Sequence, residues 1–274
     1  DVSGALEEVF REEGIRLLLG AEGRSVAKSG KSIVLTLSNG KKVAGSHLLV
    51  AIGRRPNTDD LGCDKAKIAL DKRGAIVVDG RYRTSAPGVY AVGDVTGGPQ
   101  FTHSSWDDHR LLYDLLFEGG TRGRSDRVVP YCVFTDPQVA RVGLSETEAR
   151  EKGVRFEVAT MPFGDIARAI EIDETAGVMK VLIDPESERI LGAAIVGAEA
   201  GELIHIFVAL MQARATARAI VDAEAIHPTL AEGVQSLVMR LPRYDLDRPS
   251  SERTVVPAAR AGPTESVSAR VARS

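Results

Sequence analysis

A histidine five residues ahead of a glutamate, in His227-Pro228-Thr229-Leu230-Ala231-Glu232, has the clearest capacity for acid–base chemistry in this 274-residue sequence. Proline disfavours the α conformation for the residue before it, so His227 is predicted to be extended at the mouth of a helix whose first turns carry Glu232. That placement can present an imidazole outward. A carboxylate bonded to one ring nitrogen would fix the tautomer and leave the other nitrogen to exchange protons near neutral pH. The same residues satisfy the pattern Thr229-x-x-Glu232, so Glu232 also reads as a capping-box residue. The two roles can coexist.

Two further segments combine a glycine with charge at the end of an apolar run. Gly88-Val89-Tyr90-Ala91-Val92-Gly93-Asp94 would place the Asp94 carboxylate at the C-terminal end of a strand, where open α/β sheets collect ligands. Asp94 could accept a hydrogen bond from a sugar or ribityl hydroxyl, and Gly93 permits close backbone approach. An aspartate closing a turn gives the same pattern. Ala51-Ile52-Gly53-Arg54-Arg55-Pro56-Asn57 repeats the arrangement with two cations, which suit either a phosphorylated ligand or a salt-bridged surface turn. His103 and His109 flank Trp106 at helical spacing with no third ligand, so no metal site is expected. Cys63 and Cys132 stand far apart and in no redox or zinc-like spacing, and Cys132 reads as a buried strand thiol.

The elements that must position these groups follow from periodicity. Val2 to Phe10 reads as a short helix stopped by Gly14. Ile15 to Leu19 reads as a strand, and Ile33, Leu35 and Leu37 alternate up to an Asn39-Gly40 hairpin turn. His47 to Ile52 reads as a strand buried on both faces, Ala75 to Val78 and Gly88 to Val92 as further strands, and Val95 to Pro99 as a loop. Thr102 to Ser104 would open a helix with Leu111, Leu112, Leu115 and Leu116 on its core face, closed by Gly119-Gly120. From Val128 the pattern becomes α+β. There Ser145-Glu146-Thr147-Glu148 fits a capping box with Gly153 as stop, and Val178 to Ile183 pairs with Ile190 to Val196 around Asp184-Pro185-Glu186-Ser187. Leu203 to Met211 forms a helix, and a last helix begins near Thr229. Residues 245–274 lack periodicity and read as a disordered tail.

Composition narrows the classes. With 43% hydrophobic and 27% charged residues the chain can bury one large core or two modest ones. A net charge of -3 provides no field for nucleic acid phosphates, and no apolar run reaches a membrane span's length, so neither partner is expected and the default location is the cytoplasm.

In order along the chain, Ile52-Gly53-Arg54-Arg55-Pro56-Asn57-Thr58, Gly88-Val89-Tyr90-Ala91-Val92-Gly93-Asp94-Val95, Phe134-Thr135-Asp136-Pro137 and His227-Pro228-Thr229-Leu230-Ala231-Glu232 resemble the successive signatures of the pyridine nucleotide-disulfide oxidoreductases. That family includes dihydrolipoamide dehydrogenase, glutathione reductase and mercuric reductase. Phe101-Thr102-His103-Ser104-Ser105-Trp106-Asp107-Asp108 is most similar to its mercuric-reductase-like branch. The resemblance implies an α/β plus α+β fold. Residues 1–56 would be the C-terminal part of an NAD(P)-binding domain, 57–127 a segment of a Rossmann-like FAD-binding domain, and 128–244 a dimerisation domain. It further implies that Gly53 lies near the nicotinamide nucleotide and that Asp94, beside Gly93, bonds the ribityl chain. Gln100, Phe101, Thr102 and His103 would line the isoalloxazine. His227 would exchange a proton with a redox cysteine, Glu232 would orient it, and a homodimer would form through residues 128–244.

The implied activity is electron transfer from NAD(P)H through FAD to a cysteine pair, then to a small-molecule or protein disulfide. The CxxxxC pair and the family's two GxGxxG fingerprints do not occur in these 274 residues, so the chain reads as a fragment that by itself should be inactive. A dimerisation module that keeps the fold without redox chemistry is the alternative.

Overall fold

Alternating side chains make a strand only where a partner strand completes the hydrogen-bond ladder, and the two halves of this chain differ in that respect. The structure, a computed structural model, describes residues 1–245; the tail expected at 245–274 lies, from residue 246, outside the described residues. Two compact units are present, residues 10–126 and residues 1–9 with 127–245. Helix α1 (Val2–Glu12) forms as its apolar spacing predicts and gives way at Gly14, whose φ of +79° ends it.

In the first unit, β1 (Gly23–Ser29), β2 (Ser32–Leu37) and β3 (Lys42–Gly45) form an antiparallel meander in which Leu35 opposes Val43. The Asn39-Gly40 turn joins β2 to β3 as expected, with Gly40 at φ +79°. Four predicted strands are absent. Ile15–Leu19 and His47–Ile52 are irregular, and Leu19, Leu49 and Ile52 are largely exposed. Neither run has a neighbouring strand to pair with among the described residues, so apolar content alone leaves them without a ladder. Residues 75–78 and 88–92 shrink to the isolated bridges Leu70 with Ile76 and Arg83 with Tyr90. The loop expected at Val95–Pro99 begins instead as a 3-10 turn over Gly93–Thr96. Helix α2 (Thr102–Tyr113) starts where predicted, continues as one π turn to Glu118, and is capped by Gly119 at φ +72°. Leu111 is buried and Leu112 and Leu115 are half-buried, whereas Leu116 faces solvent because the π turn rotates it off the core stripe.

The second unit is an antiparallel sheet with helices on both faces. Its strands β4 (Tyr131–Val133), β5 (Gln138–Gly143), β6 (Glu157–Pro162), β7 (Val178–Ile183) and β8 (Ile190–Gly197) lie in the order β4-β5-β8-β7-β6. The predicted β7–β8 hairpin sets Val181 opposite Ala193 and Met179 opposite Ile195. Met179, Val181 and Ile183 enter the main core, and Leu182 packs with Ala149 and Phe156 in a separate cluster. Helix α3 (Glu146–Glu151) has the predicted capping box, with the Glu148 N–H on Ser145 Oγ at 3.1 Å and the Ser145 N–H on Glu148 Oε2 at 2.7 Å. Helices α4 (Ala167–Glu171), α5 (Ala200–Gln212), α6 (Arg218–Val221) and α7 (Glu232–Met239) complete the unit, with Phe207, Ile220, Leu237 and Val238 in the main core.

Glu146 is held below the usual carboxylate range by Lys180 and then Arg150, and Glu148 by the Ser145 N–H and hydroxyl, with Arg141 adding to it. A depressed folded-state value contributes stability above the unfolded carboxyl value of about 4.3, lost as pH falls through the folded value. Urea midpoints measured from pH 6 down to pH 3 should therefore fall, and Glu146→Gln should flatten that decline. Ser145→Ala should lower the unfolding free energy by about 1 kcal/mol at pH 7.

Candidate functional site

Helix α7 takes its orientation from Val234, Leu237, Val238 and Leu241, spaced i, i+3, i+4 and i+7 and all buried. That stripe leaves Glu232, at the first turn, facing the preceding segment with its side chain only 17% exposed. The carboxylate meets His227 Nδ1 at 2.9 Å through Oε2 and 3.1 Å through Oε1, and the imidazole is 70% exposed. The His227–Pro228 peptide is cis. Thr229 Oγ1 accepts the Glu232 N–H at 3.2 Å and donates to the Ile226 carbonyl at 2.7 Å. The helix starts at Glu232 with Ala231 at its N-cap rather than at Thr229, so the expected capping box is not formed: Thr229 holds the first N–H of α7 while the glutamate carboxylate is given to the imidazole. A carboxylate at Nδ1 favours the Nδ1–H tautomer and turns the Nε2 lone pair toward solvent.

The glycine-aspartate site in residues 10–126 is assembled differently. Gly93, at φ +75°, donates its N–H to Asp108 Oδ2 at 2.7 Å, and the Tyr82 hydroxyl donates to Asp108 Oδ1 at 2.9 Å. Both Tyr82 and Asp108 are buried. A Cβ added at Gly93 would come within 3.1 Å of Ser105 Oγ, which would have to give by a few tenths of an ångström, and the positive φ itself favours glycine. The turn displays Asp94 at the surface, where Ser105 Oγ donates to Oδ1 at 3.3 Å and the Arg54 guanidinium lies 3.5 Å from Oδ2. Arg54 also donates to the Gln100 carbonyl at 3.3 Å. The segment after Gly53 and the segment holding Asp94 and Gln100 are therefore brought together. Gly53 itself is exposed at φ +124° with open space around it. Phe101 is extended, Thr102 opens α2, and the Phe101 and His103 rings stack at 5.1 Å and 9°.

Asp108 and Tyr82 escaped the reading of the sequence. The available signal was position: Asp108 falls on the stripe of α2 that also holds Ser104 and Leu111, and a charged residue on a buried stripe must be bonded there. Cys132 lies half-buried in β4, with its thiol pushed up by burial and then by the Glu202 charge, which disfavours a thiolate nucleophile. Among the described residues no three His, Cys, Asp or Glu side chains are grouped to hold a metal, and no helix is long and apolar enough to cross a membrane.

Known proteins match both regions. Residues 1–108 match the pyridine nucleotide-disulphide oxidoreductase family, and residues 129–238 match that family's dimerisation domain. The chain belongs to this family. It is 37% identical over 238 residues to the probable pyridine nucleotide-disulfide oxidoreductase RclA of Escherichia coli K12, a match covering 86% of this chain and 54% of that relative. Identity to the dihydrolipoyl dehydrogenase of Chlamydia muridarum is 36% over 233 residues, covering 85% and 50%. The solved structure of the HOCl-induced flavoprotein disulfide reductase RclA from Escherichia coli aligns with a TM-score of 0.80 at 35% identity, covering 87% of this chain and 55% of that one. The chain thus spans about half the length of these family members, and the mixed α/β plus α+β class read from the sequence is the one these matches support.

Two outcomes follow for the site. In protein labelled with 15N-histidine, His227 should give an Nδ1–H signal that Glu232→Ala converts to the Nε2–H form. Tyr82→Phe should lower the unfolding free energy by about 1.5 kcal/mol in urea titrations, since it deprives the buried Asp108 carboxylate of a donor.

Proposed function

We propose that this chain supplies the proton-transfer histidine and the dimer-forming unit of an FAD-dependent NAD(P)H:disulfide oxidoreductase. The single observation that carries this reading is the His227 Nδ1–Glu232 pair at 2.9 Å with the rest of the ring exposed. Residues 1–56 would belong to the NAD(P)-binding part, 57–127 to the FAD-binding part, and 128–244 to a dimerisation domain that pairs two copies. A disulfide, on a small molecule or on a protein, would be the class of acceptor, and the cytoplasm the place of action.

The residues around Gly93 fit a flavin in chemical type. Asp94 presents an exposed acceptor carboxylate suited to a ribityl hydroxyl, and Gln100, Phe101, Thr102 and His103 follow at the start of α2. Gly53, exposed and without a side chain, suits the approach of a nicotinamide nucleotide. When bound, the flavin would supply the acceptance of hydride from NAD(P)H and the passage of two electrons to a disulfide.

The chain's own part is the handling of protons. Reducing a disulfide by two electrons breaks one S–S bond and yields two thiolates, each of which needs a proton. Glu232 holds Nδ1–H in place, so Nε2 is the atom that takes up a proton and gives it to a thiolate, or removes one from a thiol in the reverse direction. Glu232 also stabilises the imidazolium formed between these steps. The sequence holds no closely spaced cysteine pair, so the sulfur partner must come from outside these 274 residues.

The test uses the protein expressed with all the sequence its reading frame carries on either side. Expected are a flavin absorbance band, bleaching by NAD(P)H, and turnover of a disulfide. His227→Gln should leave the bleaching intact while reducing disulfide turnover by about 10² to 10⁴-fold. Turnover unchanged in that variant, or a protein that binds no flavin and only self-associates, would favour the dimerisation module over the enzyme.

A further inference from the structure

Residues 222–228, which lead into and include His227, are all exposed, so burial contributes little to fixing where the imidazole stands. Directed hydrogen bonds must do so instead, and those described come largely from α7 and from Thr229 just before it. At one end Glu232 and Thr229 hold the His227 ring and the Ile226 carbonyl. At the other end stands Gln235, one turn beyond Glu232 on the same helix face. Its Nε2 lies 3.1 Å from the Ile220 carbonyl, 3.2 Å from that of Val221 and 2.5 Å from that of Ala223.

Three acceptors around one side-chain atom fix the amide's orientation, because only the nitrogen can donate and a carbonyl oxygen there would be repelled. The two N–H groups serve the last two carbonyls of α6 and that of Ala223, two residues past it. They anchor the segment at Ala223, four residues before His227. α7 thus grips the exposed stretch at both ends, with Gln235 on its start and Glu232 on its finish. The apolar stripe of α7 makes the two grips one rigid body, since Val234 and Leu237 beside them are buried in the main core.

We propose that Gln235 is a positioning residue for His227: by holding the backbone at residues 220–223 it sets the point from which the imidazole extends. This rests on the reading of His227 as the proton-transfer group. Gln235 touches no reacting atom and acts only through the segment it anchors. A misplacement of about 1 Å in such a group can lower a rate by about a hundredfold, so an exposed carrier segment needs its origin fixed as well as its end.

The experiment compares Gln235→Met, which keeps the length and removes both donors, with Gln235→Lys, whose ammonium supplies three donors to the three carbonyls. Each variant is made, with 15N-histidine, in the protein expressed with all the sequence its reading frame carries on either side, with folding checked by circular dichroism. The readouts are the His227 Nδ1–H signal, the rate at which diethyl pyrocarbonate acylates His227, and kcat and KM for disulfide reduction.

In Gln235→Met the Nδ1–H signal should weaken by exchange with the Nε2–H form, and kcat should fall at least about tenfold with KM little changed. Gln235→Lys should restore the signal, the acylation rate and kcat toward wild type. The proposal is overturned if folded Gln235→Met keeps the wild-type signal and kcat. It is overturned equally if folded Gln235→Lys loses them, a result that can be read even where the methionine variant does not fold. Should the ring signal respond to Gln235→Met and be rescued by lysine while disulfide turnover is indifferent to His227→Gln, the positioning stands and the redox function falls.

Discussion

The burial of one face of α7 is the constraint on which the His227–Glu232 pair depends. Val234, Leu237, Val238 and Leu241 go into the main core, so the helix cannot rotate without exposing several large side chains, at a cost of about 1.5 to 3 kcal/mol for each. Rotation about the helix axis would move Glu232 away from His227 and Gln235 away from the residue 220–223 carbonyls. The chain beyond the helix reinforces the same orientation. Arg240 pairs with Asp165 at 2.7 Å, and Arg243 reaches Glu157 at 2.6 Å, where Glu157 is buried and the ion pair is enclosed. Hydrophobic packing in the sheet unit is thus converted into the direction of an exposed ring.

The sheet that receives α7 explains why the helix can be held so firmly. Adjacent residues of β7 serve opposite faces, with Val181 and Ile183 in the main core and Leu182 in the cluster around Phe156. A register shift of one residue would exchange those faces. The turn at Asp184 resists such a shift: its carboxylate accepts the N–H groups of Glu186 and Ser187, at 3.0 and 2.6 Å, and these bonds hold its carboxyl below the usual range. Local turn chemistry, strand register and helix placement therefore agree, which is the condition for a single well-defined arrangement.

How much of this could be read from residues alone differs between the two units for one reason. In residues 127–245 each predicted element finds its partner within the unit, so the Ser145 capping box, the hairpin at Asp184 and the α5 helix all appear where periodicity places them. In residues 10–126 the meander around Asn39-Gly40 appears because its three strands are consecutive. The apolar runs at 15–19 and 47–52 have the right composition for strands and no ladder partner among the described residues, and composition cannot report that. The pairing of His227 with Glu232 was legible because both residues lie within six positions of each other. The grip of Asp108 on Gly93 spans 15 positions and depends on which stripe of α2 is buried, and the contact of Arg54 with Asp94 spans 40.

Two carboxylates stand near Gly93, and their surroundings divide the work between them. Asp108 is buried and has both oxygens engaged, one by Tyr82 and one by the Gly93 N–H. Removing either donor takes away part of what compensates a buried charge, so Asp108 is committed to holding the turn. Asp94 is half-exposed, and its contacts are a 3.3 Å bond from Ser105 and a 3.5 Å approach of Arg54, whose guanidinium is 66% exposed. An exposed pair at that distance contributes at most about 1 kcal/mol, so an incoming hydroxyl can take Arg54's place at little cost. The buried carboxylate fixes the loop and the exposed one stays at the surface. The same division separates Glu232, mostly enclosed and bonded, from the imidazole it holds out to solvent: in both places an engaged carboxylate fixes the geometry and an exposed group beside it is left free to act.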